Sequence, residues 1–217
     1  MRTFFIGDVH GCRAELEDLL SILSPVKGDR IFQTGDMINR GPDSIGALKL
    51  AQEQGICSVI GNHEARLLRL WRNPDAPRTL KDQTFLGRLG HGWQELAEQV
   101  QDWPLWIDEP QFTLVHAGLE PGKHQLEGMT PKILLTIRTW DGVGKNLDHP
   151  GDPPWFDVIQ WPRTVIFGHW ALGGLVCKPG IRGLDSGCVY GRHLSAWCQE
   201  EDRIYQVPAH RAYLSLN

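Results

Sequence analysis

The sequence contains no apolar run long enough to cross a membrane and no pair of cysteines at CxxC spacing. A membrane-spanning helix needs about 18 or more consecutive apolar residues. The N-terminal apolar run is broken by Asp8 and is too short for a secretory signal. The five cysteines are odd in number, which argues against a disulfide framework and predicts a reducing, cytoplasmic setting.

The chain also lacks an excess of positive charge. It has 22 Lys and Arg residues against 26 Asp and Glu residues, which gives a formal net charge of -4. This balance argues against a protein that coats nucleic acid, although a local basic pocket stays open. With 217 residues, 41% of them hydrophobic, the chain is long enough to bury a large core. No repeat, low-complexity tract or linker divides it, so we predict one domain over residues 1–217.

Short apolar runs that end in glycine or polar residues recur along the chain. Their lengths and their content of β-branched and aromatic residues predict buried strands. These runs lie at residues 3–6, 30–34, 56–60, 112–115 and 164–167. The last third of the sequence alternates short apolar runs with turn residues, which predicts short antiparallel strands.

Helical patterns lie between the first three strands. The segment 14–23 places leucines at helical spacing and stops at Pro25. Asp43 or Ser44 can cap a second helix that runs to about residue 54. The strand–helix–strand–helix–strand order predicts a mostly parallel sheet with right-handed crossovers. Further helices are predicted at 64–100, with an interruption at 73–77, and at 131–137, and a loop is predicted at 148–154.

Polar side chains follow these strands at their carboxyl ends, where open α/β sheets place their ligand sites. The residues are Asp8, His10, Asp36, Asn62, His63, His116 and His169. Carboxylate, imidazole and amide oxygen suit borderline divalent metals such as Mn²⁺, Fe²⁺ or Zn²⁺. All of them except His63 make six candidate ligands, too many for one tetrahedral ion with an open position. They fit two ions bridged by one carboxylate, an arrangement used for displacement at phosphorus.

Each of these positions alone has a purely structural explanation. A Gly-Asp pair after a strand is commonly a turn capped by the aspartate, and Asn62 after Gly61 is commonly a turn residue. His116 or His169 at the end of an apolar strand can be a core histidine with satisfied hydrogen bonds. Five such sites at five successive strand ends are hard to obtain by accident, so we interpret them together as a metal site.

The motifs GDVHG, GDMINRG, GNHE, VHAG and FGH resemble the ordered signature of the phosphoprotein phosphatase branch of the metallophosphoesterases. The match extends from residue 7 to about residue 187. The stretch from FGHWA to GLDSGCVYGRHLSAW looks most like the symmetrical dinucleoside tetraphosphatases of that branch. The compact length and Glu64 look more like bacterial and phage protein phosphatases. The resemblance implies an α/β fold, a four-layer metallophosphoesterase sandwich of two mixed sheets flanked by helices, with a dimetal site at the strand C-termini.

The resemblance also implies how the metals are held. Asp8 and His10 would hold the first ion, Asp36 would bridge, and the second ion would be held by Asn62, His116 and His169. The implied cofactors are two divalent metal ions. Mn²⁺ is the leading candidate, and Fe, Co, Ni or Zn are alternatives. A water or hydroxide shared by the two ions would be the nucleophile, because their charge lowers its pKa.

Three further residues would act on the phosphate group. By the same resemblance, His63 would be the general acid that protonates the leaving oxygen. Arg40 would contact phosphate oxygens through its planar guanidinium. Arg138 is a second candidate for phosphate binding, although an arginine at the end of a helix can equally be solvated.

The sequence departs from the protein-phosphatase pattern at Asn39, where an aspartate normally orients the general-acid histidine. An asparagine can fix the imidazole tautomer but supplies no charge, so His63 should donate a proton less readily. This loss matters most for a poor leaving group such as a serine alkoxide and less for a phosphoanhydride. Asn39 therefore favours an anhydride or aryl-ester substrate, unless it is a neutral substitution.

Two weaker features also bear on the substrate. Arg66, Arg69 and Arg72 share one helix face, which could draw in a polyphosphate or be a solvated surface stripe. Several of the nine tryptophans lie near predicted loops, where one could stack on a nucleobase, although core filling is the default interpretation for any one of them. The segments between the later motifs are shorter than in typical tetraphosphatases, which argues against a full nucleotide-covering cap.

The leading hypothesis is an enzyme that hydrolyses a dinucleoside tetraphosphate symmetrically to two nucleoside diphosphates. The alternative enzyme is a phosphoprotein phosphatase acting on Ser, Thr or Tyr phosphate. A binding module that has lost its chemistry would show eroded ligands, and the motifs here are complete. The expected partner is a small dinucleoside polyphosphate or a phosphoprotein, with no membrane, and the acidic net charge argues against extensive nucleic-acid contact.

Overall fold

The computed structural model describes residues 1–215, and in that range it contains ten strands and seven helices. The strands are β1 (Thr3–Ile6), β2 (Arg30–Gln33), β3 (Cys57–Ser58), β4 (Trp106–Glu109), β5 (Phe112–Val115), β6 (Thr164–Phe167), β7 (Val176–Lys178), β8 (Ile181–Gly183), β9 (His193–Cys198) and β10 (Arg203–Pro208). The helices are α1 (Arg13–Leu23), α2 (Ser44–Glu53), α3 (Asn62–Arg72), α4 (Leu80–Leu89), α5 (Trp93–Val100), α6 (Pro131–Thr136) and α7 (Trp155–Val158).

The strands form two five-stranded sheets, in the orders β10-β9-β1-β2-β3 and β4-β5-β6-β8-β7. In the first sheet β1, β2 and β3 are parallel, and β9 and β10 are antiparallel additions. In the second sheet β5, β6 and β8 are parallel, and the edge strands β4 and β7 are antiparallel to their neighbours. Both sheets are therefore mixed, and with helices flanking them they confirm the predicted α/β sandwich.

The antiparallel strands predicted in the last third are confirmed, because β7 pairs with β8, β9 with β10 and β9 with β1 in antiparallel orientation. The sequence did not reveal that β8 also pairs with β6, in parallel orientation. One detail of the sequence prediction is wrong. The strand predicted at 56–60 is shorter, because Ile60 donates its N–H to the carbonyl of Pro104 over 2.8 Å instead of extending the pairing of β3 with β2.

An aromatic core joins the facing surfaces of the two sheets. The Phe5 ring of β1 stacks on Phe32 at 5.4 Å and meets Phe112 of the other sheet edge-to-face at 4.8 Å. Leu114 and Ile166 of the second sheet are fully buried in the same cluster. Burial of each such side chain contributes about 1.5–3 kcal/mol. This core fixes the two sets of strand ends next to each other.

The helices between the first strands follow the sequence signals. In α1 the leucines at helical spacing are buried, and the helix ends at Ser24 in a left-handed conformation just before Pro25. The Asp43 side chain caps α2 by accepting the N–H of Gly46 over 2.7 Å. Thr130 precedes Pro131 and caps α6, as the sequence predicts.

The segment after β3 forms α3, α4 and α5, with the predicted break between α3 and α4. Asp82 of α4 is buried and accepts hydrogen bonds from Arg66 at 2.9 Å and Arg69 at 2.8 Å on α3. The arginine stripe predicted on α3 is therefore in large part an anchor for α4 and not a free surface. No helix within residues 1–215 is both long and apolar enough to span a bilayer.

Candidate metal centre

The predicted site residues meet where the parallel strands end. Asp8 follows β1 and Asp36 follows β2, whereas His116 and His169 follow β5 and β6 of the second sheet. His10 lies in the loop from β1 to α1, and Asn62 and His63 form the first turn of α3. The structure thus brings residues from both sheets to one edge of the sandwich, as expected for ligand sites of α/β folds.

Asp36 lies at the middle of this cluster. Its Oδ2 is 3.7 Å from Nε2 of His10, 3.9 Å from Nε2 of His63 and 3.6 Å from Nε2 of His116. Asp36 belongs to two groups of potential metal ligands. Within each group, the ligand atoms lie within 4.8 Å of one another. The two groups are His10, Asp36 and His63, and Asp36, His116 and His169. A carboxylate common to two such groups has the position that a bridging ligand requires.

Backbone carbonyls fix the tautomers of two of the histidines. Nδ1 of His10 faces the carbonyl of Ile38 at 3.3 Å, and Nδ1 of His116 faces the carbonyl of Thr34 at 2.8 Å. Each Nδ1 therefore carries the proton, and each Nε2 presents a lone pair toward Asp36. Metal-binding histidines in proteins are commonly oriented in this way.

Two hydrogen-bond acceptors that face each other show that the potential ligand atoms of this site suit a cation. Nε2 of His116 lies 3.0 Å from Oδ1 of Asn62. Burial lowers the pKa of His116, so its imidazole stays neutral and Nε2 has no proton to share. An amide oxygen and an imidazole lone pair at this separation repel each other unless a cation lies between them. Imidazole, carboxylate and amide oxygen together suit divalent transition metals.

The buried carboxyl groups of Asp36 and Asp8 also indicate that this site suits a cation. Burial raises the pKa of Asp36 to about 7, and burial also raises the pKa of Asp8, with the nearby charges of Asp185 and Asp36 adding to the effect. Buried like charges destabilise one another, and a divalent cation would offset this. Asp8 itself lies outside both close groups, and its oxygens accept the Thr34 hydroxyl at 2.9 Å and the His169 N–H at 3.0 Å.

Asp185 is a buried carboxyl of this site that the sequence analysis did not assign. It follows β8, accepts the N–H of Gly187 at 3.1 Å and is 4% exposed. It lines a cavity of about 250 Å³ together with Asp8, His10 and Asp36. The signal was available, because GLDSG places one more carboxyl directly after a short strand.

Glu64 has a structural role that the sequence did not reveal. Its carboxylate accepts the N–H groups of Asp36 at 2.9 Å, Ile38 at 3.1 Å and Gly61 at 2.9 Å. The side chain therefore ties the loop after β2 to the first turn of α3. Asp36 completes the link, because its Oδ1 accepts the N–H of His63 at 2.9 Å and leaves Oδ2 free to face the histidines.

Five residues of the site hold left-handed backbone conformations. Their φ values are 51° for His10, 57° for Asp36, 70° for Asn39, 72° for Arg40 and 63° for His169. Residues with a side chain rarely adopt such angles, and strain of this kind clusters at functional sites. The loops are thus held in conformations that aim these side chains inward.

Asn39, His63 and Arg40 form one connected group. The Asn39 side-chain nitrogen lies 2.9 Å from Nδ1 of His63, and the Arg40 N–H donates to the Asn39 side-chain oxygen over 2.7 Å. The Arg40 guanidinium lies 3.0 Å from Nε2 of His10. That nitrogen can serve either Arg40 or a metal, so metal binding would leave the guanidinium available to an anion.

Arg138 also reaches the cleft, because it lines the same 250 Å³ cavity as Asp8 and Arg40. Its guanidinium is paired with Asp148 at 2.6 Å. It is therefore neither a fully solvated arginine nor a free phosphate ligand. Phosphate binding by Arg138 would require this exposed ion pair to be exchanged.

Two further cavities flank the metal centre. One, of about 400 Å³, lies beside Arg138 and is lined by Asp148, His149, Trp170 and Leu172, among others. The other, of about 470 Å³, lies beside His63 between α3 and α4. Of the tryptophans near loops, Trp155 is fully buried in the core, whereas Trp170 is half-buried and lines the first of these cavities.

Comparison with known proteins places this geometry in a family. The chain matches the sequence profile of the calcineurin-like phosphoesterases over residues 1–202. A protein of Methylobacillus flagellatus named symmetrical bis(5'-nucleosyl)-tetraphosphatase is 32% identical over 271 aligned positions, covering 98% of this chain and 97% of the relative. A protein of the same name from Dechloromonas aromatica is 29% identical, covering 95% of this chain and 96% of the relative. Because this chain has 217 residues, the longer alignment shows that the first relative contains insertions.

Solved structures give the same grouping. One described as a "putative diadenosine tetraphosphatase" has a TM-score of 0.80 and 34% identity, covering 96% of this chain and 93% of that chain. A protein serine/threonine phosphatase from Saccharomyces cerevisiae has a TM-score of 0.55 at 14% identity, covering 96% and 79%. The second likeness shows the fold alone.

Proposed function

The chain belongs to the calcineurin-like phosphoesterase family and is a hydrolase of phosphoester or phosphoanhydride bonds, and we propose that it cleaves dinucleoside tetraphosphates symmetrically. The products are two nucleoside diphosphates. The observation that carries the proposal is the position of Asp36, whose Oδ2 lies 3.6 to 3.9 Å from ring nitrogens of three histidines. The names of the relatives at about 30% identity support the substrate.

The proposal includes two divalent metal ions, with Mn²⁺ as the leading candidate. Asp36 would be a ligand common to both ions, and Asp8, His10, Asn62, His116 and His169 would be the remaining ligands. Bound there, such ions polarise phosphoryl oxygens and lower the pKa of water. The five free thiols suit a reducing compartment, and we place the activity in the cytoplasm.

His63 contacts the leaving oxygen in this proposal. Because Arg40 N–H occupies the Asn39 side-chain oxygen, the Asn39 nitrogen faces Nδ1 of His63 and donates to it. The imidazole proton is therefore on Nε2, which points to the metal centre. Burial lowers the pKa of His63, so the ring is neutral and acts as a hydrogen-bond donor more than as a proton donor.

This form of His63 suits an anhydride. One water supplies the oxygen that bonds to the attacked phosphorus, and the bond from that phosphorus to the central bridging oxygen breaks. The bridging oxygen leaves on the other nucleoside diphosphate as a stable anion. One proton of the water passes to solvent, and the other stays on the new phosphate oxygen. A hydrogen bond from Nε2 stabilises the charge on the leaving oxygen, and the Arg40 guanidinium binds phosphoryl oxygens.

A phosphoprotein substrate is the second candidate, and it ranks lower for two reasons. A serine leaving group needs a proton, which a neutral imidazole held by Asn39 supplies poorly. Glu64, the feature of GNHE that resembles protein phosphatases, is explained by its three hydrogen bonds to backbone N–H groups. It therefore carries no information about the substrate.

The test compares the two substrates on one preparation. Mn²⁺-loaded protein is incubated with diadenosine tetraphosphate or with a phosphoserine peptide, and products are separated by anion-exchange chromatography. We expect ADP as the sole nucleotide product, with a far higher kcat/KM than on the peptide. An Asp36→Asn variant purified in parallel controls for contaminating phosphatases. Faster hydrolysis of the peptide, with the dinucleotide intact, would overturn the proposal in favour of a protein phosphatase.

A further inference from the structure

We propose that the cavity between α3 and α4 binds the phosphates of the departing half of the substrate, an inference that rests on the proposed function. This basic groove, as we call it, has a volume of about 470 Å³. Its cationic lining residues are Arg40, Arg66, Lys81 and Arg88, and no aspartate or glutamate among residues 1–215 lines it. The ligand class is a nucleoside diphosphate or another short polyphosphate.

The position of His63 sets the direction of the substrate. His63 lines the basic groove, and its Nε2 also lies 3.9 Å from Asp36 at the metal centre. A group that donates to the leaving oxygen must lie on the side to which the leaving half departs. The half that leaves is therefore on the side of α3 and α4, and the half that is attacked lies over the metal ligands.

The charge of the basic groove is matched to a polyphosphate. Lys81 and Arg88 are exposed side chains on α4, and neither has a carboxylate within 4.0 Å in residues 1–215. Arg66 is paired with Asp82 and lies over the Phe85 ring at 4.9 Å, so its position is fixed. A fixed arginine next to two unpaired cations suits the several oxygens of a diphosphate.

The cavity of about 400 Å³ beside Arg138 has a different character. Within the described part of the chain, Arg138 is the one arginine or lysine that lines it, and two carboxylates, Asp148 and Asp152, line it as well. Arg138 is paired with Asp148 there. A departing group that carries two phosphates is repelled by such carboxylates, so the two cavities are not interchangeable.

The anchoring of α4 explains how the groove keeps its shape. Asp82 joins α4 to Arg66 and Arg69 of α3. It also completes the capping box of α4, because its carboxylate accepts the hydroxyl of the N-cap residue Thr79 at 2.8 Å and the Thr79 N–H at 3.2 Å. Lys81 is next to this anchor, and Arg88 lies two turns further along the same helix. The two cations are thus presented from a fixed helix toward the side of His63.

The test uses a Lys81→Ala/Arg88→Ala double variant and two substrates. Diadenosine tetraphosphate has a leaving group with two phosphates, whereas p-nitrophenyl phosphate has a leaving group with none. We expect the ratio of kcat/KM on the dinucleotide to kcat/KM on the aryl phosphate to fall about tenfold or more, mainly through KM, because charge-assisted hydrogen bonds are lost. Added salt should weaken dinucleotide binding in the wild type more than in the variant.

A matched control removes the same charge elsewhere. Lys49 and Lys132 are exposed and line none of the three cavities described above. The Lys49→Ala/Lys132→Ala double variant should keep the substrate ratio of the wild type. The single variants Lys81→Gln and Arg88→Gln provide the same comparison if the double variant folds poorly, as judged by its Tm.

The possible results separate the two proposals. An unchanged ratio in the Lys81→Ala/Arg88→Ala variant, or an equal loss on both substrates, would overturn the basic groove as the site of the departing phosphates. In either case the wild type would still produce ADP. A wild-type protein that hydrolyses p-nitrophenyl phosphate but leaves the dinucleotide intact would instead overturn the proposed function itself.

Discussion

The side-chain amide of Asn39 donates a hydrogen bond of 2.9 Å to Nδ1 of His63. This contact decides which imidazole nitrogen carries the proton, because a ring nitrogen that accepts a hydrogen bond has none of its own. His63 therefore presents an N–H from Nε2 toward the metal centre. In the proposed function, this arrangement suits leaving groups that need stabilisation of a negative charge and do not need a proton.

Asn39→Asp should change the leaving-group preference. A carboxylate at this position can accept a proton from Nδ1 and stabilise the imidazolium form, which can protonate an alkoxide. We expect turnover of an alkyl phosphate to rise by up to about tenfold, the equivalent of one pKa unit. Turnover of diadenosine tetraphosphate should not rise. Steady-state kinetics on both substrates checks this, and no gain on the alkyl phosphate would remove the assigned role of Asn39.

Substitutions of His63 separate hydrogen bonding from proton transfer. His63→Ala removes the donor and should lower kcat on diadenosine tetraphosphate by about 10²-fold, as for a lost oxyanion donor. His63→Gln keeps an N–H and should lose distinctly less. The measurement is kcat for both variants with Mn²⁺ content determined in parallel. Equal losses together with a lower metal content would mean that His63 is a ligand, as its proximity to Asp36 also permits.

Chelation of the metal and substitution of Asp36 both test whether Asp36 is a ligand common to two metal ions. Wild-type protein should bind two Mn²⁺ per chain, and chelation should abolish activity until Mn²⁺ is restored. Asp36→Asn should bind fewer than two ions, because the ligand common to both donor groups is weakened. Mn²⁺ at about 100 times its Kd should raise the free energy of unfolding of the wild type by about 2.7 kcal/mol for each ion that binds.

The number of Mn²⁺ ions per chain can be measured by elemental analysis, and the stabilisation by Mn²⁺ can be measured by thermal unfolding. The Cys57→Ser variant is a suitable control, because Cys57 is exposed and belongs to neither donor group. It should retain two ions and the stabilisation by Mn²⁺. Two tightly bound ions in Asp36→Asn would contradict the assignment of Asp36 as the bridge.

Asp82 should make the stability of the α3–α4 region depend on pH. The Thr79 hydroxyl and the Arg66 guanidinium hold the pKa of Asp82 well below its usual range. Because the folded-state pKa is depressed, the carboxylate stabilises the fold above the unfolded pKa of about 3.9, and this contribution is lost as the pH falls toward the folded-state pKa. Asp82→Asn should therefore be less stable at pH 7 and lose less stability on acidification.

Chemical denaturation between pH 7 and pH 3 checks this prediction. Asp75→Asn provides the matched control, because Asp75 is exposed in the segment between α3 and α4. The control should reproduce the wild-type profile. The account of the α3–α4 anchor would be wrong if Asp82→Asn and the wild type lost stability in parallel.

The parts of the fold and site that follow local patterns were predictable from the sequence. Each short apolar run ends in a polar cluster, and parallel strands bring such ends to one edge. This pattern is sufficient to select Asp8, Asp36, His116 and His169 from the order of residues alone. The parallel strands β1 and β2 follow from the same logic, because a helix lies between them.

Other features depend on contacts that no local pattern contains. Glu64 bonds to backbone N–H groups of residues 26 and 28 positions away, so its role appears only when the loops are packed together. Asp82 draws in Arg66 from another helix and converts an apparent surface stripe into an anchor. The parallel pairing of β8 with β6 joins strands that are not consecutive in the chain, which alternating apolar residues do not specify.

The most direct test of the central claim is hydrolysis of diadenosine tetraphosphate in ¹⁸O-labelled water, with the products analysed by mass spectrometry. The account predicts ADP alone, half of it carrying one ¹⁸O atom, because one water attacks one of the two central phosphorus atoms. ATP and AMP as products would show asymmetric cleavage. That result, or an intact dinucleotide in the presence of Mn²⁺, would contradict the account.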